Sequence, residues 1–459
     1  MSIRHEIAEF CATLTFKTLP KEIVQHTKLC LIDQICHMIV GPIAYLEDYP
    51  DISKFIKDLG GKKESNLIGF DGKVPCLNAA FVNTIMGIST SFDATHKGSI
   101  IHIPAALFPA MIAVAEARKA NGKDLITAIV VGSEVMARVG ISMGPHHLFA
   151  RGFHPTSVCA PLGCAAGAGK LLGLSKNELA EALSIASVQA SGSSVWAGAV
   201  HPATWSFQVG KAAQSGVMAA MLAQIGFNGY DKVFEIERGF LSAYSENPDP
   251  TKLTDGIGKR YEIKDLVFKR FGVGTYMITS IDTLIEMLSM YKIKPDEIDE
   301  ITVKLPTMVM PLIGFPEYPV NRASTYVSTR YILAVTACLG SQIEYSLEPY
   351  SIESRKNPKV IDLFNRIKII GDSQLDKLCP EKKPCIVTVK KKDGKQFSQR
   401  NDGPFKGDPE NPLSAEDLEG KFKKITIPIL GKRKAGEILR VIKQLERLNE
   451  ISQLVDLLV

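Results

Sequence analysis

The stretch "RGFHPTSVCAPLGCAAGAGKLLGLSKNELAEALSIASVQASG", residues 151–192, decides how the first half of the chain folds. Its "APLGCAAGAGKLLGL" segment is rich in small side chains, and "SKNELAEALSIASVQASG" opens with a capping box running from Ser175 to Glu178. Small faces let helix backbones approach closely, so a compact helical bundle is expected. The same texture recurs in "GKAAQSGVMAAMLAQIG", residues 210–226, and "EIVQHTKLCLIDQICHMIVG", residues 22–41, has apolar residues at helical spacing up to Gly41. From residue 1 to about 265 the sequence reads almost wholly helical.

Beyond "KRYEIKDLVFKRFG" the pattern changes. "EIDEITVKLP" alternates as a half-buried strand does, and "CIVTVKKKDGKQFSQ" reads as strand, Asp-Gly turn and strand. The turn-rich "NDGPFKGDPENPLS" then gives way to amphipathic helix in "SAEDLEGKFKKI" and "GEILRVIKQLERLNEISQLVDLL". The expected fold class is therefore mainly α with an α+β second domain. A helical domain covers residues 1–265 and is completed by C-terminal helices in 399–459, and 266–398 forms the α+β part.

With 459 residues, the chain is long enough for two cores. Its 45% hydrophobic and 22% charged content excludes a disordered or fibrous chain. The net charge of +5 has its densest basic runs in "VKKKDGK" and "LGKRKAGE", which lack interleaved aromatics, so no nucleic-acid partner is expected. Nine scattered cysteines, an odd number, suit reduced buried thiols in a cytoplasmic protein. No export signal is read at "MSIRHEIAEFCATL". The longest apolar run, "IIHIPAALFPAMIAVAEA", is interrupted by His102, Pro104 and Pro109, which points to a buried helix and to no membrane span.

"GCAAGAGKL" is not a phosphate loop: Gly163 to Gly169 is one residue too long and Leu171 stands where Ser or Thr is required. Six of nine histidines, namely His96, His102, His146, His147, His154 and His201, cluster between residues 96 and 201 of the helical half. His102 precedes the helix of "IPAAL" and His154 precedes "PTS", so each stands at a helix N-terminus. A lone histidine there is as a rule a hydrogen-bonded core residue. The other reading is a general acid or base beside an anion-binding helix start. Asp93, His96 and His102 lack paired metal-ligand spacing, and no metal is expected.

The segments "SFDATHKGSIIHIPAA", the whole of 151–192, "VGKAAQSGVMAAMLAQIGFNG", "STRYILAVTACLG" and "GDPENPLSAEDLEGKF" together resemble the MmgE/PrpD family over nearly the whole chain. That family includes 2-methylcitrate dehydratase, cis-aconitate decarboxylase and iminodisuccinate epimerase. The resemblance implies a helical bundle with an α+β lid domain, a homodimer, and an active site between the domains that needs no metal or organic cofactor. It implies that His102, His154 and Tyr331 are catalytic and that Thr95 and Asp93 bind substrate. The sequence departs from the family at three polar positions. Ser91 replaces the leading acidic residue, Trp205 replaces a lysine, and Ile278 stands where a histidine is expected.

The expected activity is that of a lyase of dehydratase or hydratase type on a small carboxylic acid, working by proton transfer at a carbon next to a carboxylate. Epimerisation of such a carbon, cis-aconitate-type decarboxylation and a non-catalytic role are the alternatives. With the lysine gone, Trp205 either packs into a closed pocket or walls one shaped for a less charged substrate. Ser91 and Lys269 complete the expected substrate-binding set, and Lys97, Arg151 and Arg270 are further candidates for holding a carboxylate.

Overall fold

The computed structural model describes residues 2–195, 203–379 and 381–459; His201 lies outside them. The chain divides into two compact units. The first comprises the chain up to Ser194 together with Ala203–Val267 and Ser414–Val459, and the second is Phe268–Leu413.

The helices of the first unit include α1 (Lys21–Leu46), α2 (Cys76–Ile88), α3 (Ile103–Ala117), α4 (Gly122–Met143), α5 (Pro155–Leu172) and α6 (Thr204–Gln224). The decisive stretch supplies the central one. A Cβ on Gly163 of α5 would lie 2.8 Å from the Gly132 carbonyl of α4, and a Cβ on Gly132 would lie 2.8 Å from that of Gly163. The two backbones are thus in reciprocal contact, which only glycine permits. On the other side, a Cβ on Gly216 of α6 would come within 2.4 Å of the Pro161 carbonyl. Helix α5 ends at Gly173 in the left-handed conformation, and the next helix starts with the Ser175–Glu178 capping box. Helices α1 and α4 are long and apolar enough to cross a membrane, but 83% and 94% of their apolar windows are buried in this bundle.

The helical half contains short strands that its sequence does not announce. β1 (Thr95–His96) pairs antiparallel with β2 (Leu266–Val267), Thr95 opposite Val267. Two-residue strands have no period to read. A closing helix, Ala415–Lys443, broken at Gly431, packs against α1.

The second unit holds a four-stranded sheet of β3 (Ile298–Leu305), β4 (Ile367–Gly371), β5 (Cys385–Lys391) and β6 (Gln396–Asn401), in the order β4-β3-β5-β6. β3 and β4 are parallel, and β5 and β6 form a hairpin turned at Asp393-Gly394, where Gly394 has a φ of 87°. Helix α7 (Thr275–Met290) packs on β5 and β6, and α8 (Thr329–Leu339) packs on α7 and β4.

The unit boundaries differ from those expected at 265/266 and 398/399. β2 belongs to the first unit and β6 runs on to Asn401. The turn-rich segment after it also belongs to the second unit, because Gly407 accepts the Phe268 N–H at 2.9 Å and pins the segment there. All nine cysteines are free thiols and seven are buried. Burial pushes Cys11 and Cys76 up to about 12, so neither is a nucleophile near neutral pH.

Candidate active site

His102 is the N-cap residue of α3, with Pro104 in the first turn fixing the helix start. Its Nδ1 lies 2.6 Å from Asp93 Oδ2. An ionised carboxylate only accepts, so Nδ1–H is the donor and, in the neutral ring, the lone pair is on Nε2. Asp93 is fully buried, whereas the His102 side chain keeps 19% of its surface exposed. The pair therefore has a dry anionic end and an accessible basic end. The sequence reading gave Asp93 to substrate; the structure pairs its carboxylate with the imidazole.

Strained backbone brings these two residues together. Ser91, two residues before Asp93, has a φ of 53°, and Ile100, two residues before His102, has a φ of 55°. Such conformations cost roughly 1–3 kcal/mol each in a non-glycine residue and concentrate at functional sites. Between them, Ile101 O accepts the His96 N–H at 2.8 Å and closes the loop.

Thr95 and His96 alternate across β1. The Thr95 hydroxyl is buried without a hydrogen-bond partner among the described residues. His96 turns toward Glu262 instead of joining Asp93 and His102. Its Nδ1 accepts the Ser99 N–H at 3.1 Å, which leaves the ring proton on Nε2, 3.6 Å from Glu262 Oε2. Burial works to raise the Glu262 carboxyl, but His96, Arg260 and Arg138 hold it down at about 2. Ligand atoms of His96, Glu262 and Asp265 lie within 4.8 Å of one another. A metal there would need the nitrogen that carries the proton, and a carboxylate already matched by two arginines, so the donor set fits a charge network better than a cation.

His154 caps the start of α5 from the same unit. Its Nδ1 lies 2.8 Å from the Ser157 hydroxyl, its N–H donates to Gly192 O at 3.2 Å, and the residue is 2% exposed. One hydrogen bond joins the two helix starts, from the His102 N–H to Thr156 Oγ1 at 3.2 Å. The positive ends of α3 and α5 therefore meet beside the Asp93–His102 pair. Gly192 is essential to this corner. It has a φ of 144°, and a Cβ there would lie 2.5 Å from Ser157 Cβ. Gly192→Ala is expected to cost about 1–3 kcal/mol by overpacking and to displace His154, which thermal unfolding and turnover of the variant would register.

Trp205, on the first turn of α6, is 7% exposed, and residues 196–202 before it lie outside those described. Of the remaining expected site residues, Tyr331, Ile278, Lys269 and Arg270 are in the second unit and Arg151 is in the first. Tyr331 is fully buried on α8 and donates its hydroxyl to Pro349 O at 2.7 Å, an arrangement that locks the ring in place. Ile278 and Lys269 are buried, and Arg270 is engaged by Asp282 and Glu344. Arg151 is exposed over the Phe153 ring.

Two family models cover the chain: the MmgE/PrpD N-terminal domain matches residues 5–253 and the MmgE/PrpD C-terminal domain matches 271–447. Full-length relatives include cis-aconitate decarboxylase of Homo sapiens, 29% identical over 100% of this chain and 94% of that protein. The mouse protein of the same name is 27% identical over 100% of this chain and 93% of its own, and that of Aspergillus terreus is 24% identical over 99% and 96%. With both domains matched in order along the whole length, the chain belongs to the MmgE/PrpD family.

Proposed function

We propose that this protein is a lyase that transfers a proton at a carbon next to a carboxylate of a small carboxylic acid, with His102 as the acid-base group. The observation that carries the reading is the 2.6 Å Asp93–His102 hydrogen bond at the start of α3, with the basic nitrogen directed away from the buried carboxylate. In decarboxylation, a C–C bond breaks with loss of carbon dioxide, its electron pair passes into the remaining unsaturated acid, and the His102 imidazolium delivers the proton that quenches it. In dehydration, neutral His102 takes the proton from carbon, the C–O bond breaks as the C=C bond forms, and the imidazolium returns that proton to the departing hydroxide, which leaves as water. Asp93 stabilises the imidazolium in both. The substrate carboxylate sits at the paired positive ends of α3 and α5, and Thr95 Oγ1 supplies it with a hydrogen bond.

Lyase chemistry is favoured over epimerisation because two-base inversion needs a second exchangeable imidazole, and His154 is 2% exposed with Nδ1 engaged by Ser157. The relatives make cis-aconitate the first compound to test. Incubation in deuterated water should incorporate one deuterium at carbon with release of carbon dioxide; small hydroxy acids should instead lose water. The reaction uses only side-chain acids and bases, so dialysis against a chelator should leave turnover unchanged. Binding of these acids with no exchange at carbon, or exchange that persists in His102→Asn, would sink the proposal.

A further inference from the structure

Directly behind the Asp93–His102 pair lies a buried cation that the chemistry above does not use. Lys421, on the closing helix, is 1% exposed in its side chain, and its Nζ lies 2.6 Å from Asp33 Oδ1 on α1. The same ammonium donates to Phe92 O at 3.0 Å and stands 5.6 Å from the centroid of the Phe92 ring. One turn beyond Asp33, His37 stacks on the Phe92 ring, and its Nδ1 lies 3.3 Å from Thr90 Oγ1. Residues 90 and 92 are thus gripped from two helices, on either side of the strained Ser91.

The Phe92 carbonyl belongs to the peptide plane that ends at the Asp93 nitrogen. A donor fixing that carbonyl fixes the backbone from which the Asp93 carboxylate reaches His102. Burial of Asp33 and Lys421 removes two charges from water, and a well-packed apolar pair of similar volume is often as stable. Stability alone is therefore a weak reason for an ion pair at this place. What an apolar pair lacks is a donor to the carbonyl.

We infer that Lys421 is a positioning residue: neutralised by Asp33, it holds the Phe92 carbonyl so that Asp93 meets His102 Nδ1 in register. The inference rests on the proposed role of His102, but the hydrogen bond it sets can be read without turnover. The experiment is proton NMR of the full-length protein with labelled histidine, in which the Nδ1–H resonance of His102 is assigned by its disappearance in His102→Asn. Combining Asp33→Leu with Lys421→Met removes both charges together. This variant should stay folded, with the resonance moved or lost. With a working substrate, kcat should fall about 10- to 100-fold, the effect of a small misplacement of a reacting group, at little changed KM. Combining Asp33→Asn with Lys421→Gln keeps an amide donor for the carbonyl and should recover both signals. It also serves as the test if the apolar pair fails to fold, since its resonance should then match the parent's. An unchanged resonance in the folded apolar variant, or an altered one in the amide variant, overturns the inference. If the parent turns over no carboxylic acid, the functional reading fails, while the resonance still decides the role of Lys421.

Discussion

Replacing His102 with asparagine should lower kcat/KM by about 10³-fold, within the range of about 10²–10⁴ that a positioned general acid or base contributes. The same change should lower the melting temperature, because it takes the imidazole partner from the buried Asp93 carboxylate, a cost that a new helix cap offsets only in part. His102 occupies the N-cap of α3, yet its side chain makes no capping hydrogen bond there. Asparagine is among the best N-cap residues, and a cap that closes on the first turn is worth about 1 kcal/mol. The wild-type residue thus forgoes a helix cap in order to point its ring at Asp93. A loss of turnover far larger than the fall in folded fraction at the assay temperature would separate this account from one in which His102 is a core residue, where activity falls only as far as the fold does. Asp93→Asn should be milder in activity, about 10- to 100-fold, because the amide oxygen can still accept from Nδ1 while the charge that stabilises the imidazolium is gone.

How much of this could be read in advance depended on the range of each interaction. The 151–192 stretch was legible because helix period, small faces and the Ser175–Glu178 box are local, and they reappear as the glycine contacts of α5 and the capped helix after it. The mainly α fold with an α+β second part followed from the same periodicities. Less legible were the boundaries: the turn-rich segment, expected with the helical part, is tied to the sheet unit by the Phe268 hydrogen bond. The histidines at the two helix starts could be picked out, but not their partners. Asp93 meets His102 across nine residues through left-handed backbone at Ser91 and Ile100, a conformation that neither residue type announces. Lys421 finds Asp33 across 388 residues, a distance at which one sequence carries no pairing information. Tyr331 is singled out by the resemblance alone; neither period nor spacing shows that its hydroxyl donates to the Pro349 carbonyl.

Arg138→Met should be the most destabilising single change considered, by about 3–5 kcal/mol, the usual cost of stripping the partner from a buried charge. Arg138, on α4, is 1% exposed; its Nε donates to Glu134 Oε2 at 3.1 Å, and its Nη2 lies 3.6 Å from Glu262 Oε1. It also donates to the carbonyls of Asp255 and Arg260, so that one guanidinium ties the segment leading into β2 to the bundle. The loss should depend on pH. Burial pushes the Glu134 carboxyl from its ordinary 4.5 up to about 7, with Arg138 opposing and Glu262 adding to the rise. A group whose pKa rises on folding stabilises fully below its unfolded value, and that contribution is lost as pH climbs through the folded one. Without Arg138 the Glu134 value climbs further and more stability is lost at high pH. Glu262, held at about 2 in part by Arg138, contributes above its ordinary 4.5 and loses that contribution as pH falls through the folded value. Removing Arg138 weakens that contribution by nearly the same amount at every pH above about 4.5, so Glu262 adds little slope between pH 5 and 8. Glu134 therefore sets the trend: the deficit of Arg138→Met relative to the parent should be smallest near pH 5 and grow toward pH 8. Urea unfolding at the two pH values measures it, and an equal deficit at both would mean that Arg138 acts through packing and its two carbonyl hydrogen bonds rather than through its charge.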